Sequence, residues 1–295
     1  MKKTFRGTFT AIITPFTTNG EIDWKSFEAL VEQQVEAGIA GIVPCGTTGE
    51  APTLSITEQH KVIKKTVEIV SKRALVIPGS GSNCTKKTVE ASQKAQELGA
   101  DGCMLVTPYY NKPTQKGLYQ HFATVASSVE LPIIIYNVEG RSSINIELET
   151  TLKLIEDCPT IVGIKEASGN IDQIKKTIEQ TPDQFSVLSG DDKLAVDVIE
   201  LGGSGLISVA SNIIPKVMVE LIDHTLQGRL SESHALHEKL LPVFQALFIE
   251  SNPIPIKAAL SMKGGCQEAY RLPLCSMEKH NRRSLNETLL QAGIL

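Results

Sequence analysis
The chain has 295 residues, 41% hydrophobic and 21% charged, which supplies a large core and too little charge to keep it unfolded. Its 29 Lys and Arg against 33 Asp and Glu give a formal net charge of −4, which argues against a nucleic-acid partner. The longest uncharged stretches, such as 201–215, fall short of the ~18–20 apolar residues of a membrane span and are broken by Gly and Pro.

The basic stretch 1–6 leads into 7–16, which reads as a strand and ends in no small-residue cleavage site, so a cytoplasmic protein is expected. From residue 7 to about 212 one unit recurs: a short β-branched run, a polar or glycine-containing turn, then an amphipathic stretch. The spacing predicts strands at 8–14, 41–45, 74–78, 102–107, 132–138, 161–165, 185–189 and 205–209. None alternates strictly, as expected of parallel strands covered on both faces. Between them, helices are predicted at 23–37, 57–71, 85–98, 115–128, 147–156, 171–180 and 191–201. Ser55, Thr57 and Glu58 suit a helix N-terminus, and Gly99 and Gly202 suit C-caps.

Eight βα units favour a closed (β/α)8 TIM barrel over an open doubly wound sheet. An open dinucleotide-binding sheet would carry GxGxxG after its first strand, where this chain has Thr14-Pro15-Phe16. Gly79-Ser80-Gly81 and 202–205 are incomplete versions of that fingerprint and are read as turns. Helical stretches at 214–227, 231–249, 255–262 and 284–292 then form a C-terminal helical extension, giving a barrel over 1–224 and a helical domain over 225–295 with no evident site of its own.

In such barrels the active site lies at the C-terminal strand ends, so the polar residue closing each run comes first. The sixth run ends in Lys165, where burial opposes the charged form and favours a nucleophilic amine. A structural lysine reaching to the rim or paired with Glu166 is the alternative. Tyr136 ends the fifth run at the same rim, either as a proton carrier or as a buried aromatic. Arg141 follows, either as a fork for a carboxylate or as a solvated loop residue. Thr47 and Thr48, between Gly46 and Gly49, form either an anion nest with a proton-relaying hydroxyl or an ordinary turn. Of Tyr109 and Tyr110, adjacent and braced by Pro108 and Pro113, one is expected to face the site and the other a neighbouring subunit. Gly190 leaves room for substrate, while Asp191 and Asp192 are read as a helix start rather than metal ligands.

No metal site is expected elsewhere. Cys45, Cys84, Cys103, Cys158, Cys266 and Cys275 contain no CxxC pair, and reduced thiols are the default. His234 and His237 share a helix face without a carboxylate at metal spacing and are read as solvated.

Six motifs in order carry a resemblance: GTTGE at 46–50, PYYNKP at 108–113, YNVxGR at 136–141, GIKEASGN at 163–170, SGDD at 189–192 and NPIPIKAAL at 252–260. Across essentially its whole length the chain resembles the pyruvate-dependent lysine-Schiff-base aldolases, and within them the branch that condenses pyruvate with L-aspartate 4-semialdehyde. The resemblance implies that Lys165 forms an imine with pyruvate and that Thr47, Tyr136 and Tyr110 relay protons, Tyr110 reaching in from an adjacent subunit. It implies that Thr48 and backbone near Gly190 and Ile207 hold the pyruvate end, and that Arg141 binds the semialdehyde carboxylate. It further implies no metal or organic cofactor and a homotetramer built as a dimer of dimers.

The chain departs from this pattern in two places. Glu139 replaces the usual Pro, and Ser142 an often-found Thr; a Glu139–Arg141 pair would compete with substrate and weaken semialdehyde binding. Where lysine-inhibited members have histidines and a glutamate, this chain has Ile56, Gln59 and Lys87, although Asn83 and Tyr109 remain. A cation in place of the acid reverses the electrostatics for an α-amino group, so little inhibition by lysine is expected. Two rival functions stay open: a sister enzyme such as N-acetylneuraminate lyase or a 2-keto-3-deoxy sugar acid aldolase, and a non-catalytic paralogue that binds pyruvate or an amino acid.

Overall fold
The computed structural model describes residues 5–295, so the first four residues of the basic N-terminal stretch lie outside it. Eight parallel strands form one sheet: β1 Gly7–Ala11, β2 Gly41–Val43, β3 Leu75–Val76, β4 Cys103–Val106, β5 Ile133–Asn137, β6 Ile161–Glu166, β7 Ser186–Ser189 and β8 Gly205–Ser208. Neighbours run in the order β3-β2-β1-β8-β7-β6-β5-β4. Closure comes just past β3, where Met104 N donates to Pro78 O at 2.9 Å and Ser80 N donates to Met104 O at 3.1 Å. A β-carbon at Gly79 would stand 2.5 Å from Cys45 O, so that glycine allows backbones to meet. The eight units therefore close as a (β/α)8 barrel.

The helices, in chain order, are α1 Trp24–Glu36, α2 Ile56–Val70, α3 Thr85–Glu97, α4 Gln115–Ala126, α5 Glu139–Ser142, α6 Leu148–Asp157, α7 Ile171–Gln180, α8 Ala195–Glu200, α9 Pro215–Leu226, α10 Leu230–Ala246, α11 Ile254–Met262 and α12 Lys279–Gln291. Their starts follow local chemistry. Ser55 caps α2 in a capping box with Glu58, and Asp23, Thr114 and Asn170 cap α1, α4 and α7 through side-chain oxygens. Gly99 and Gly202 follow α3 and α8 at positive φ.

Three predicted segments differ, one of them the last helix, which starts at Lys279 and not at 284. Residues 191–194 form an Asp-capped 3-10 turn, which delays α8 to Ala195, because the Asp191 side chain takes the Lys193 N–H at 2.9 Å. The segment after β5, expected to be a loop, is the single helical turn α5, too short for periodicity to reveal.

Phe5, Phe9, Ile134, Leu188 and Ile207 fill the barrel interior. A second apolar cluster joins the strands to α3, α4, α6 and α7. A third runs without a break from Ile12, Phe27 and Ile42 to Phe244, Ile256 and Leu285, so the C-terminal extension shares the core of the barrel.

Candidate active site
The C-terminal strand ends surround a cavity of about 590 Å³. Lys165 and Tyr136, both lining it, are direct partners in the β5–β6 register. Side chains alternate along a strand, so these two point inward while the next pair, Asn137 and Glu166, points out toward the helices. Lys165 is only 5% exposed, and its Nζ lies 4.1 Å from the centre of the Tyr136 ring. Among the described residues it has no carboxylate partner. Glu166, the alternative partner, accepts instead from Asn137 Nδ2 at 3.1 and 3.3 Å, Ser168 Oγ at 2.8 Å and Gln173 Nε2 at 3.4 Å. Burial pushes its carboxyl pKa up, against those hydrogen bonds. At Gly190 a β-carbon would stand 2.9 Å from Lys165 Cε, so the absent side chain keeps the lysine's place open.

The loop after β2 brings Thr47 and Thr48 to the cavity wall. The N–H groups of Gly49, Glu50 and Ala51 close turns onto Gly46 and Thr47 carbonyls, whereas those of Thr47 and Thr48 have no acceptor among the described residues. Two backbone donors without an acceptor, on the wall of the cavity that Lys165 also lines, suit a small carboxylate. Thr48 Oγ1 accepts from Asn252 Nδ2 at 2.9 Å, which holds its hydroxyl in place. From α5, Arg141 also lines the cavity, its Nη2 donating to Asn252 O at 3.3 Å. No ion pair joins Glu139 to Arg141 among the described residues, because positions i and i+2 of a helical turn face different ways.

Lys165, Tyr136, Thr47, Thr48, Arg141 and Gly190 thus meet at one cavity, whose lining includes neither Ile207 nor Tyr110. Ile207 is packed in the barrel interior, 1% exposed; the cavity takes Val209 instead, two residues on and one layer higher on the same face. Tyr110 does not line the cavity of its own chain: it stands 89% exposed at φ 73. The C-terminal extension contributes Phe248, Ser251 and Asn252 to the wall of this cavity.

The sequence model of the dihydrodipicolinate synthetase family matches residues 4–292. The chain belongs to the dihydrodipicolinate synthetase family. A 4-hydroxy-tetrahydrodipicolinate synthase of Thermodesulfovibrio yellowstonii is 50% identical over 291 residues, 99% of each chain. The solved dihydrodipicolinate synthase of Acinetobacter baumannii, complexed with pyruvate, superposes with a TM-score of 0.97 at 43% identity, over 99% of this chain and 100% of that one. The enzyme of Cyanidioschyzon merolae with lysine bound gives 0.96 at 39% identity over 99% of each chain.

The remaining motif residues of this dihydrodipicolinate synthetase family chain serve its rim. Asp192 accepts from Val209 N at 3.1 Å and Ala210 N at 3.2 Å, tying the end of β7 to that of β8, and burial pushes its carboxyl up to about 6. Asn252 is the residue that the sequence reading passed over. Its signal was present in NPIPIKAAL, but its contacts lie 111 residues from Arg141 and 204 from Thr48.

Proposed function
We propose that the chain is a 4-hydroxy-tetrahydrodipicolinate synthase, a class I lyase that condenses pyruvate with L-aspartate 4-semialdehyde in diaminopimelate and lysine biosynthesis. The observation that carries this reading is Lys165: a buried amine that opens on a cavity, without a counter-ion, beside a phenol and two free backbone N–H groups.

In this reading the Lys165 amine adds to the pyruvate ketone, and loss of water leaves an imine. The protonated imine makes the methyl group acidic; its proton passes to the Tyr136 and Thr47 relay and the C–H electron pair moves toward the iminium nitrogen, giving an enamine, so the lysine adduct serves as electron sink and no further cofactor is called for. The enamine carbon bonds to the aldehyde carbon, whose oxygen takes up a proton. The substrate amine finally attacks the imine carbon, closing the ring and releasing Lys165. Tyr136 and Thr47 carry protons among these steps together with Tyr110, whose exposed ring is supplied to the site of another subunit. Thr48 and the backbone at Gly190 hold the pyruvate carboxylate, and Arg141 takes that of the semialdehyde. An exposed aromatic held at positive φ supports an oligomer, here assigned as a homotetramer built as a dimer of dimers.

The compartment assigned is the cytoplasm, and no helix among the described residues is long and apolar enough to cross a membrane. The domain division assigned is a catalytic barrel over 1–224 and a helical domain over 225–295. Lysine is expected to inhibit weakly: Ile56 is 72% exposed, Lys87 is exposed, and Gln59 Nε2 is occupied by Ala51 O and Leu54 O. Initial rates at millimolar lysine check this.

The central test is borohydride trapping with pyruvate, followed by peptide mass analysis. An adduct on Lys165 is expected, and an adduct elsewhere or none overturns the reading. A coupled assay comparing aldehyde acceptors separates the synthase from its sister aldolases.

A further inference from the structure
Lys257, on α11 of the C-terminal extension, is fully buried, and its ammonium is ion-paired with the Glu50 carboxylate, also fully buried. Its Nζ sits 4.3 Å from the centre of the Phe16 ring and 5.2 Å from that of Tyr270. Burial lowers the Lys257 pKa, and the charge of Glu50 opposes that. The other Glu50 oxygen accepts from Arg271 N at 3.3 Å, so both partners of this carboxylate come from the extension.

Glu50 is the last residue of GTTGE. It sits at φ 53, a left-handed conformation costly for a residue with a β-carbon. Its own N–H donates to Thr47 O at 3.1 Å, closing the turn in which the N–H groups of Thr47 and Thr48, two residues that line the cavity, have no acceptor among the described residues. A desolvated pair tolerates little displacement, because a partner that moves away leaves a buried charge uncompensated.

We propose that the Glu50–Lys257 pair is a positioning device for pyruvate: the extension grips Glu50 and thereby sets the turn that presents Thr47 and Thr48 to the substrate carboxylate. Glu50 and Lys257 are positioning residues and do not touch substrate. The inference rests on the function proposed above.

The test is the double variant Glu50→Gln/Lys257→Met, which removes both charges together and leaves neither unpaired. Wild-type enzyme is first trapped with pyruvate and borohydride; failure at that step counts against the proposed function, not against the pair. With trapping established, the double variant should raise the KM for pyruvate about tenfold while kcat changes less than threefold. Leu285→Ala, in the core of the extension, should lower Tm and leave that KM alone. Should the double variant not fold, Glu50→Asp, which keeps the charge and shortens the reach, should raise KM several-fold. A pyruvate KM within twofold of wild type in the folded double variant, or in Glu50→Asp if the double variant does not fold, overturns the proposal, as does a matching rise in Leu285→Ala.

Discussion

Two lysines are buried among the described residues, and their surroundings are opposites. Lys165 ends a strand, faces a cavity and has a phenol ring but no acid beside it. Lys257 lies in a helix, does not line that cavity, and has a carboxylate locked to its ammonium. The contrast teaches that burial alone does not make an amine reactive. A carboxylate at contact occupies the Lys257 head group and closes it off, whereas an open cavity and an absent acid leave the Lys165 amine accessible to a carbonyl.

The largest effect that could break this contrast is at Lys165. Lys165→Met should abolish borohydride trapping and lower kcat on the order of 10⁴-fold, about 5 kcal/mol of transition-state stabilisation, with the thermal transition retained. If Lys257→Met lost activity equally while remaining folded, the two sites would not be as different as their contacts imply. Lys257→Met is expected instead to cost about 3–5 kcal/mol of stability in denaturant titration, because Glu50 is left charged in the interior.

A third measurement sharpens the electrostatics around Lys257. Arg271, whose backbone N–H donates to Glu50, also donates from its guanidinium into the Glu58 carboxylate at 3.0 Å and holds that carboxyl down at about 2. Between that value and an unfolded pKa of ~4.3 the unfolded chain binds more protons. The stabilisation is therefore complete above the unfolded value and lost as pH falls through the folded one. Glu58→Gln should cost on the order of 1–2 kcal/mol near pH 7, less than the full shift because solvent screens the pair, and close to nothing near pH 2, read as a gap between denaturant midpoints that shuts with acid.

The smallest effect is expected at Glu139. It is the first residue of α5, and its N–H has no acceptor among the described residues, so proline fits there. Glu139→Pro should stabilise by up to ~1 kcal/mol and leave the semialdehyde KM within twofold, because Glu139 and Arg141 do not pair. A clear fall in that KM would revive the competition that the sequence suggested.

Legibility followed the range of the interactions. Lys165 and Tyr136 were readable because each closes an apolar run, and in a barrel the end of a run is the end of a strand. Thr47 and Thr48 were readable through their glycines. Asn252 was not, because nothing local distinguishes an asparagine before a proline that braces two distant loops from one that ends a helix. Which surface Tyr110 presents depends on the backbone turn at positive φ, which no local pattern encodes. Ile207 entered only through the resemblance, for the backbone near it; its side chain is packed in the barrel interior, and Val209, two residues on, lines the cavity.

By itself, the sequence determined the repeating βα unit, the helix caps and the chemistry available at each strand end, since all of these depend on neighbours a few residues apart. Only the tertiary structure decided which lysine faces open space and which is locked to an acid, and that the C-terminal extension completes the cavity wall. Those outcomes depend on burial and on partners some two hundred residues away, as between Glu50 and Lys257 at a separation of 207, and no local pattern encodes them.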